Sequence, residues 1–184
     1  MFKRFISWPY IGPLAIVFAA FLWSIDALLR QSLYSLPSIF IVFSEHSLGL
    51  IITLPWLIKF WPKIKTLNRK TWISIFWIAV FGGLLGTLAY TRALSYINYI
   101  HFSVVVLLQK LQPIFAIILA RIILKERFKG RFYLWAGVAL VGSYFVAFPN
   151  VLPQWQDGGK NVWAGLLAVG AAFAWGSSTV MGKY

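Results

Sequence analysis

Val106-Leu107-Leu108-Gln109-Lys110-Leu111-Gln112-Pro113-Ile114-Phe115 puts a lysine, two amides and a proline in the middle of an apolar segment. The segment runs from about His101 to Leu124 and is long enough to cross a bilayer, which takes roughly 20 apolar residues as helix. An ammonium at membrane depth costs about 2.5–3.5 kcal/mol on insertion scales. Pro113 has no N–H to give the helix, and its ring crowds the preceding turn, so a kink is expected there. Lipid tolerates such a helix only where its polar side meets a partner helix or a watery cavity. The stretch therefore predicts a helix that lines the working site of a membrane transporter.

The rest of the composition agrees. Of 184 residues, 60% are hydrophobic and only 11% charged, against about 25% charged in soluble domains. A chain of this size could not hide so much apolar surface from water, so its first partner is the lipid bilayer. The net charge of +13 does not point to nucleic acid, because the cations cluster between apolar runs and form no basic face with interleaved aromatics. The absence of cysteine excludes disulfides and thiolate metal sites. His46 and His101 lie in different segments and make no metal-ligand spacing. Asp157-Gly158-Gly159-Lys160 reads as a turn, without the first glycine or the strand of a phosphate loop. No serine–histidine–carboxylate set shares a plausible depth. The reading is a non-enzyme with no cofactor and no metal.

Working outward, the pattern predicts an all-α membrane protein of six transmembrane helices. They cover about Ile11–Leu29, Pro37–Ile58, Trp72–Ala93, His101–Leu124, Leu134–Phe148 and Val162–Met181. The run after Met1-Phe2-Lys3-Arg4 is too long for a signal peptide and is read as a retained first helix. Residues 149–161 form a polar external loop, with turn signals at Pro153 and Asp157-Gly158-Gly159. With the N-terminus in the cytoplasm, thirteen lysines and arginines fall inside (among them Lys59, Lys63, Arg69, Lys70, Arg121, Lys125 and Lys183). Three, Arg30, Arg92 and Lys160, fall outside. That is the bias expected of a multi-pass protein of the plasma (inner) membrane. Trp8, Trp56, Trp61, Trp72, Tyr96, Tyr99, Trp155 and Trp163 flank the spans as aromatic belts do.

An internal repeat follows. Ala19-Ala20-Phe21-Leu22-Trp23 recurs as Ala171-Ala172-Phe173-Ala174-Trp175, and at that register Leu14 matches Leu166 and Val17 matches Val169. Five helices per copy would make the second copy enter the membrane from the other side, as in inverted-repeat transporters.

Three stretches resemble the EamA family of the drug/metabolite transporter superfamily. They are Ala19-Ala20-Phe21-Leu22-Trp23-Ser24, then Ala89-Tyr90-Thr91-Arg92-Ala93-Leu94-Ser95-Tyr96, and, most specifically, Leu111-Gln112-Pro113-Ile114-Phe115-Ala116 with Leu124-Lys125-Glu126-Arg127-Phe128. The likeness covers a five-helix repeat over residues 11–148 and the first helix of a second repeat over 162–184. The resemblance implies ten helices in two inverted repeats, both termini inside and a central substrate cavity. The chain stops at Tyr184, so it is expected to be a fragment. It also has Glu45-His46 where members often carry an arginine.

The charged constellation completes the reading. Glu45 lies eight residues below the outer end of its helix, roughly 12 Å deep, and Lys110 roughly 14 Å deep. Their depths match and their charges are opposite, which predicts a Glu45–Lys110 pair with His46, Gln109 and Gln112 nearby. Such a pair serves either as a substrate or proton-coupling site or only as a lock between two helices. Asp26 and Arg30, four apart, are expected to pair at the outer mouth; Asp26 could otherwise gate cations. Trp23 and Tyr90 line the cavity or pack. Gly82-Gly83-Leu84-Leu85-Gly86 is a small-xxx-small packing pattern. Arg121 is expected to reach the cytoplasmic surface, and Glu126 to tie down the inner loop. The function expected is secondary active transport of small metabolites, amino-acid-like or drug-like, by alternating access and with a proton or another coupling ion. The alternatives are a half-size protein completed as a homodimer and a non-transporting assembly subunit.

Overall fold

A computed structural model describes residues 10–33, 35–96, 102–147 and 159–184. Lys3, Arg4, Trp8, Tyr99, His101, Phe148 and the loop residues Pro149–Gly158 lie outside the described residues. The chain divides into two units, one ending at Leu36 and one beginning at Pro37.

The first unit carries α1, Ile11–Gln31. Pro13 sits in its first turn, where a missing N–H leaves no bond unmade. The expected intrahelical pair forms: Arg30 Nε donates to Asp26 Oδ2 at 2.7 Å. It lies in the last turn, where the helix dipole favours a cation.

The second unit begins with α2, Ser38–Ile64. Its 27 residues make roughly 40 Å of helix, longer than a hydrocarbon core. Pro55 and Pro62 fall inside it. The third span, Arg69–Leu94, is not one regular helix. It consists of α3 (Arg69–Trp77), a π-helix (Ile78–Gly86) and α4 (Thr87–Leu94). Asn68 caps its start by accepting from the Thr71 amide at 2.8 Å. The π turn falls on Gly82, Gly83 and Gly86. These glycines have the weakest preference for α-helix after proline, and their missing side chains let a neighbour come close.

The fourth span, Phe102–Ile123, is also interrupted. α5 (Phe102–Gln109) stops, Lys110 and Leu111 turn, and α6 (Gln112–Ile123) begins with proline in its first turn. A kink was expected at Pro113; the chain breaks two residues earlier. Pro113 cannot donate to the carbonyl one turn back, and the Leu111 amide tightens onto Leu108 O at 3.1 Å. α7 (Gly130–Ala147) and α8 (Gly159–Met181) complete the order. All six expected segments are helical. Five of them are long and apolar enough to span a membrane; the 18-residue α7 is the other.

α8 is the hub of the second unit. It packs on α4, α5, α6 and the π-helix, while α2 meets α4. Ala164, Ala168, Ala171 and Ala172 on α8 are fully buried. Lipid tails are as apolar as leucine, so helices in a bilayer associate through close van der Waals packing, which small residues allow. One end of this unit gathers the start of α3, the exit of α6 and the end of α8. There Lys70 Nζ sits 3.9 Å from the Tyr184 ring centre, and Lys183 pairs with Glu126. Glu126 thus ties its loop to the last helix. Lys125 makes this possible with a left-handed φ of 56°, which turns the chain so that the Glu126 amide reaches Ala120 O at 3.3 Å. The Lys183 side chain is 70% exposed, so the pair is screened. A double-mutant cycle with Glu126→Gln and Lys183→Gln is expected to give no more than about 1 kcal/mol of coupling. A larger value would mean the pair does more than close a loop.

Candidate functional site

The two irregular places in the second unit, the π-helix and the α5–α6 break, both face α8. At the π-helix, Trp175 of α8 donates its indole N–H to the Gly82 carbonyl at 2.9 Å, and Trp77 donates to Ser177 Oγ at 3.0 Å. The glycines permit this approach. A Cβ on Gly82 would stand 2.6 Å from Ser178 Oγ, and one on Gly86 would stand 2.9 Å from Trp175 Nε1. Gly82 and Gly86 are therefore close-packing positions, as the small-xxx-small pattern indicates. Tyr90, one turn beyond on α4, is buried with its ring 5.3 Å from that of Trp175.

At the break, Gly176 fits against the backbone of Gln112, whose carbonyl oxygen would lie 2.8 Å from a Cβ there. Gln109 is buried and donates from Nε2 to Gln112 Oε1 at 3.1 Å. The two amides bridge the interruption and leave Lys110 between them, exposed at the turn. Non-helical backbone at membrane depth is tolerated where it is buried in protein or lines a cavity, the arrangement transporters use at their substrate sites.

The structure thus brings Gln109 to Gln112, and Tyr90 to Trp175. His46, on α2, donates from Nδ1 to Val42 O at 2.9 Å and turns Nε2 toward Gly83 of the π-helix, 3.4 Å from a Cβ position there. Glu45 is exposed on the same helix. α2 meets α4, whereas α5 and α6 meet α8, so Glu45 and Lys110 ride on elements with different main partners. Asp26 and Trp23 belong to α1 in the other unit. Arg121 Nη1 donates to Tyr133 Oη at 3.2 Å on an exposed surface.

Trp175 and Gly176 were not singled out as site residues from the sequence. The recurrence of Ala-Ala-Phe-Ala-Trp at 171–175 was the available signal. It marked the tryptophan without saying what it touches.

A cavity of about 630 Å³ lies between the start of α2, the middle of α8 and the far half of the third span. Its walls include Phe81, Leu85, Leu88 and Phe173, with Arg92 and Ser38 at one end. It contains none of the eight residues singled out from the sequence.

Residues 10–148 match the model of the EamA-like transporter family. The chain is also 43% identical over 174 residues to the riboflavin transporter ImpX of Fusobacterium nucleatum subsp. nucleatum, an alignment covering 94% of this chain and 58% of that relative. No solved structure matches the chain significantly. Apolar helices of spanning length, glycine-opened contacts between them and a helix interrupted at a half-buried amide pair agree with that match, and the chain belongs to the EamA-like transporter family.

Proposed function

We propose that the chain is part of a secondary transporter that carries a flavin-like metabolite across the plasma membrane by alternating access, with its N-terminus in the cytoplasm. The observation that carries this reading is the 43% identity to a riboflavin transporter along nearly the whole chain. The chain spans only 58% of that relative, so α8 is proposed to open the second, inverted repeat, and the full protein to close the substrate pathway. The chemistry suits a planar heterocycle. Trp175, backed by the buried Tyr90, offers aromatic surface, and Gln109 and Gln112 offer donors and acceptors matched to ring nitrogens and carbonyls. A zwitterion, which the mixed charges of Glu45 and Lys110 would also suit, is the second substrate to test.

Glu45, His46 and Lys110 are proposed to face the substrate pathway that the full-length protein closes, distinct from the cavity described above, as coupling groups, with Glu45 and Lys110 approaching each other in one state of the cycle. The full-length protein, expressed in a riboflavin-requiring host, is expected to raise uptake of labelled riboflavin well above the empty vector. Absence of uptake with the protein present in the membrane would sink the substrate assignment. Lys110→Met and Glu45→Gln are each expected to lower initial uptake by about tenfold or more while the protein still inserts, the loss of one charge-assisted contact being worth at least that much. Unchanged flux in both variants would remove these residues from the coupling site.

A further inference from the structure

We propose that the cavity between α2, α8 and the outer part of the third span holds one anionic phospholipid, its phosphate on Arg92 and one acyl chain along the groove. Phe81, Leu85, Leu88 and Arg92 form a single stripe along the third span. From Phe81 to Arg92 is eleven residues, or roughly 16 Å, a little over half of a hydrocarbon core about 30 Å thick. The groove therefore runs from the membrane boundary to about the midplane, the reach of one leaflet. Its walls are leucine and phenylalanine, and on α8 the groove passes Gly170, where a Cβ would meet nothing within 4 Å. That lining suits a chain of methylenes better than a solute with many hydrogen-bonding groups.

The polar end is cationic. Arg92 is exposed, with its guanidinium 5.2 Å from the Tyr96 ring centre, and among the described residues no carboxylate lines the cavity. A guanidinium grips phosphate oxygens with two parallel bonds. Ser38 opens the 27-residue α2 at the same end. The residue is 5% exposed and lines the cavity. The Ser38 and Ile39 amides are among the first N–H groups of α2, which have no carbonyl within the helix to bond. The Arg92 guanidinium and the first turn of α2 at Ser38 thus both line this apolar slot. A guanidinium at the boundary end of an apolar slot is the arrangement that holds a lipid phosphate by charge-assisted bonds while its acyl chain stays in the groove.

The test uses full-length protein purified in mild detergent and titrated with phosphatidylglycerol or phosphatidylcholine, with retained lipids counted by native mass spectrometry. One phosphatidylglycerol is expected to persist after detergent exchange, and phosphatidylcholine to exchange away. Arg92→Gln, which removes the phosphate partner, is expected to weaken retention roughly tenfold or more. Gly170→Leu, which fills the groove without disturbing a packed contact, is expected to abolish it. Arg69→Gln, at the other end of the span, is expected to retain the lipid. Equal retention in wild type, Arg92→Gln and Gly170→Leu would overturn the proposal. So would retention lost in Arg92→Gln but kept in Gly170→Leu, because the groove would then be idle. Release of the lipid by saturating riboflavin would make the slot a solute passage and overturn it as well. None of these readouts depends on transport, so failure here leaves the transport reading standing.

Discussion

Gly176→Ala is expected to destabilise the protein far more than one methyl group ordinarily would. The added carbon would stand 2.8 Å from Gln112 O, 3.0 Å from Phe115 Cβ and 3.1 Å from the Ala116 amide nitrogen. Two of those atoms are backbone and cannot rotate away. Either α8 must draw back from α6 or the break at Lys110–Leu111 must deform. Overpacking of this kind costs about 1–3 kcal/mol, which for a chain of this size lowers the melting temperature by roughly 3–10 °C. Gly170→Ala on the same helix is the control, since its Cβ meets nothing. It should be neutral or slightly stabilising, because glycine is the poorer helix former by about 0.5–1 kcal/mol. Thermal unfolding of both variants in the same detergent decides the matter. Equal melting would mean that α8 does not seat against the α5–α6 break.

The second large effect is at Trp175, which does two separable things. Its ring covers Gly86 and meets Tyr90, and its indole N–H satisfies the Gly82 carbonyl within the π-helix. Trp175→Ala removes both and is expected to cost about 3–5 kcal/mol. Trp175→Phe keeps an aromatic ring but leaves Gly82 O with the long 3.4 Å contact from Thr87 Oγ1; about 1 kcal/mol should be lost. Under the proposed function, Trp175→Phe should retain part of riboflavin uptake and Trp175→Ala almost none. Phenylalanine as damaging as alanine would show that the hydrogen bond, rather than the packed ring, holds the π-helix to α8. Alanine as mild as phenylalanine would show that the packed ring contributes nothing beyond the hydrogen bond.

These contacts separate what a sequence can carry from what it cannot. The six helical segments were legible because a bilayer offers the backbone no water, so every apolar run of sufficient length must close its hydrogen bonds within itself. The Asp26–Arg30 pair was legible because four residues make one helical turn. The interruption near Pro113 was legible to within two residues from the missing N–H. Gln109 and Gln112 were expected only near a Glu45–Lys110 pair; their bond to each other across the break came from the structure.

The π-helix was not legible. Gly82, Gly83 and Gly86 announced close packing, but whether the helix keeps four residues per bond or opens to five depends on the partner that arrives, here Trp175 and Ser178. Nor could Glu126 name its partner, Lys183, 57 residues away. The Glu45–Lys110 reading matched depths along two helices without knowing which helices neighbour each other.

The sequence by itself determined that this chain is a multi-pass helical membrane protein, where its helices run and where one of them breaks, since those follow from local chemistry meeting a uniform apolar solvent. The tertiary structure alone decided that α8 is the hub, that its tryptophan and glycine occupy the two irregular sites, and that a slot with a cationic end remains beside it. The reason is physical. In lipid, hydrophobicity drives insertion but does not choose neighbours; the choice falls to close contacts between residues far apart in the chain.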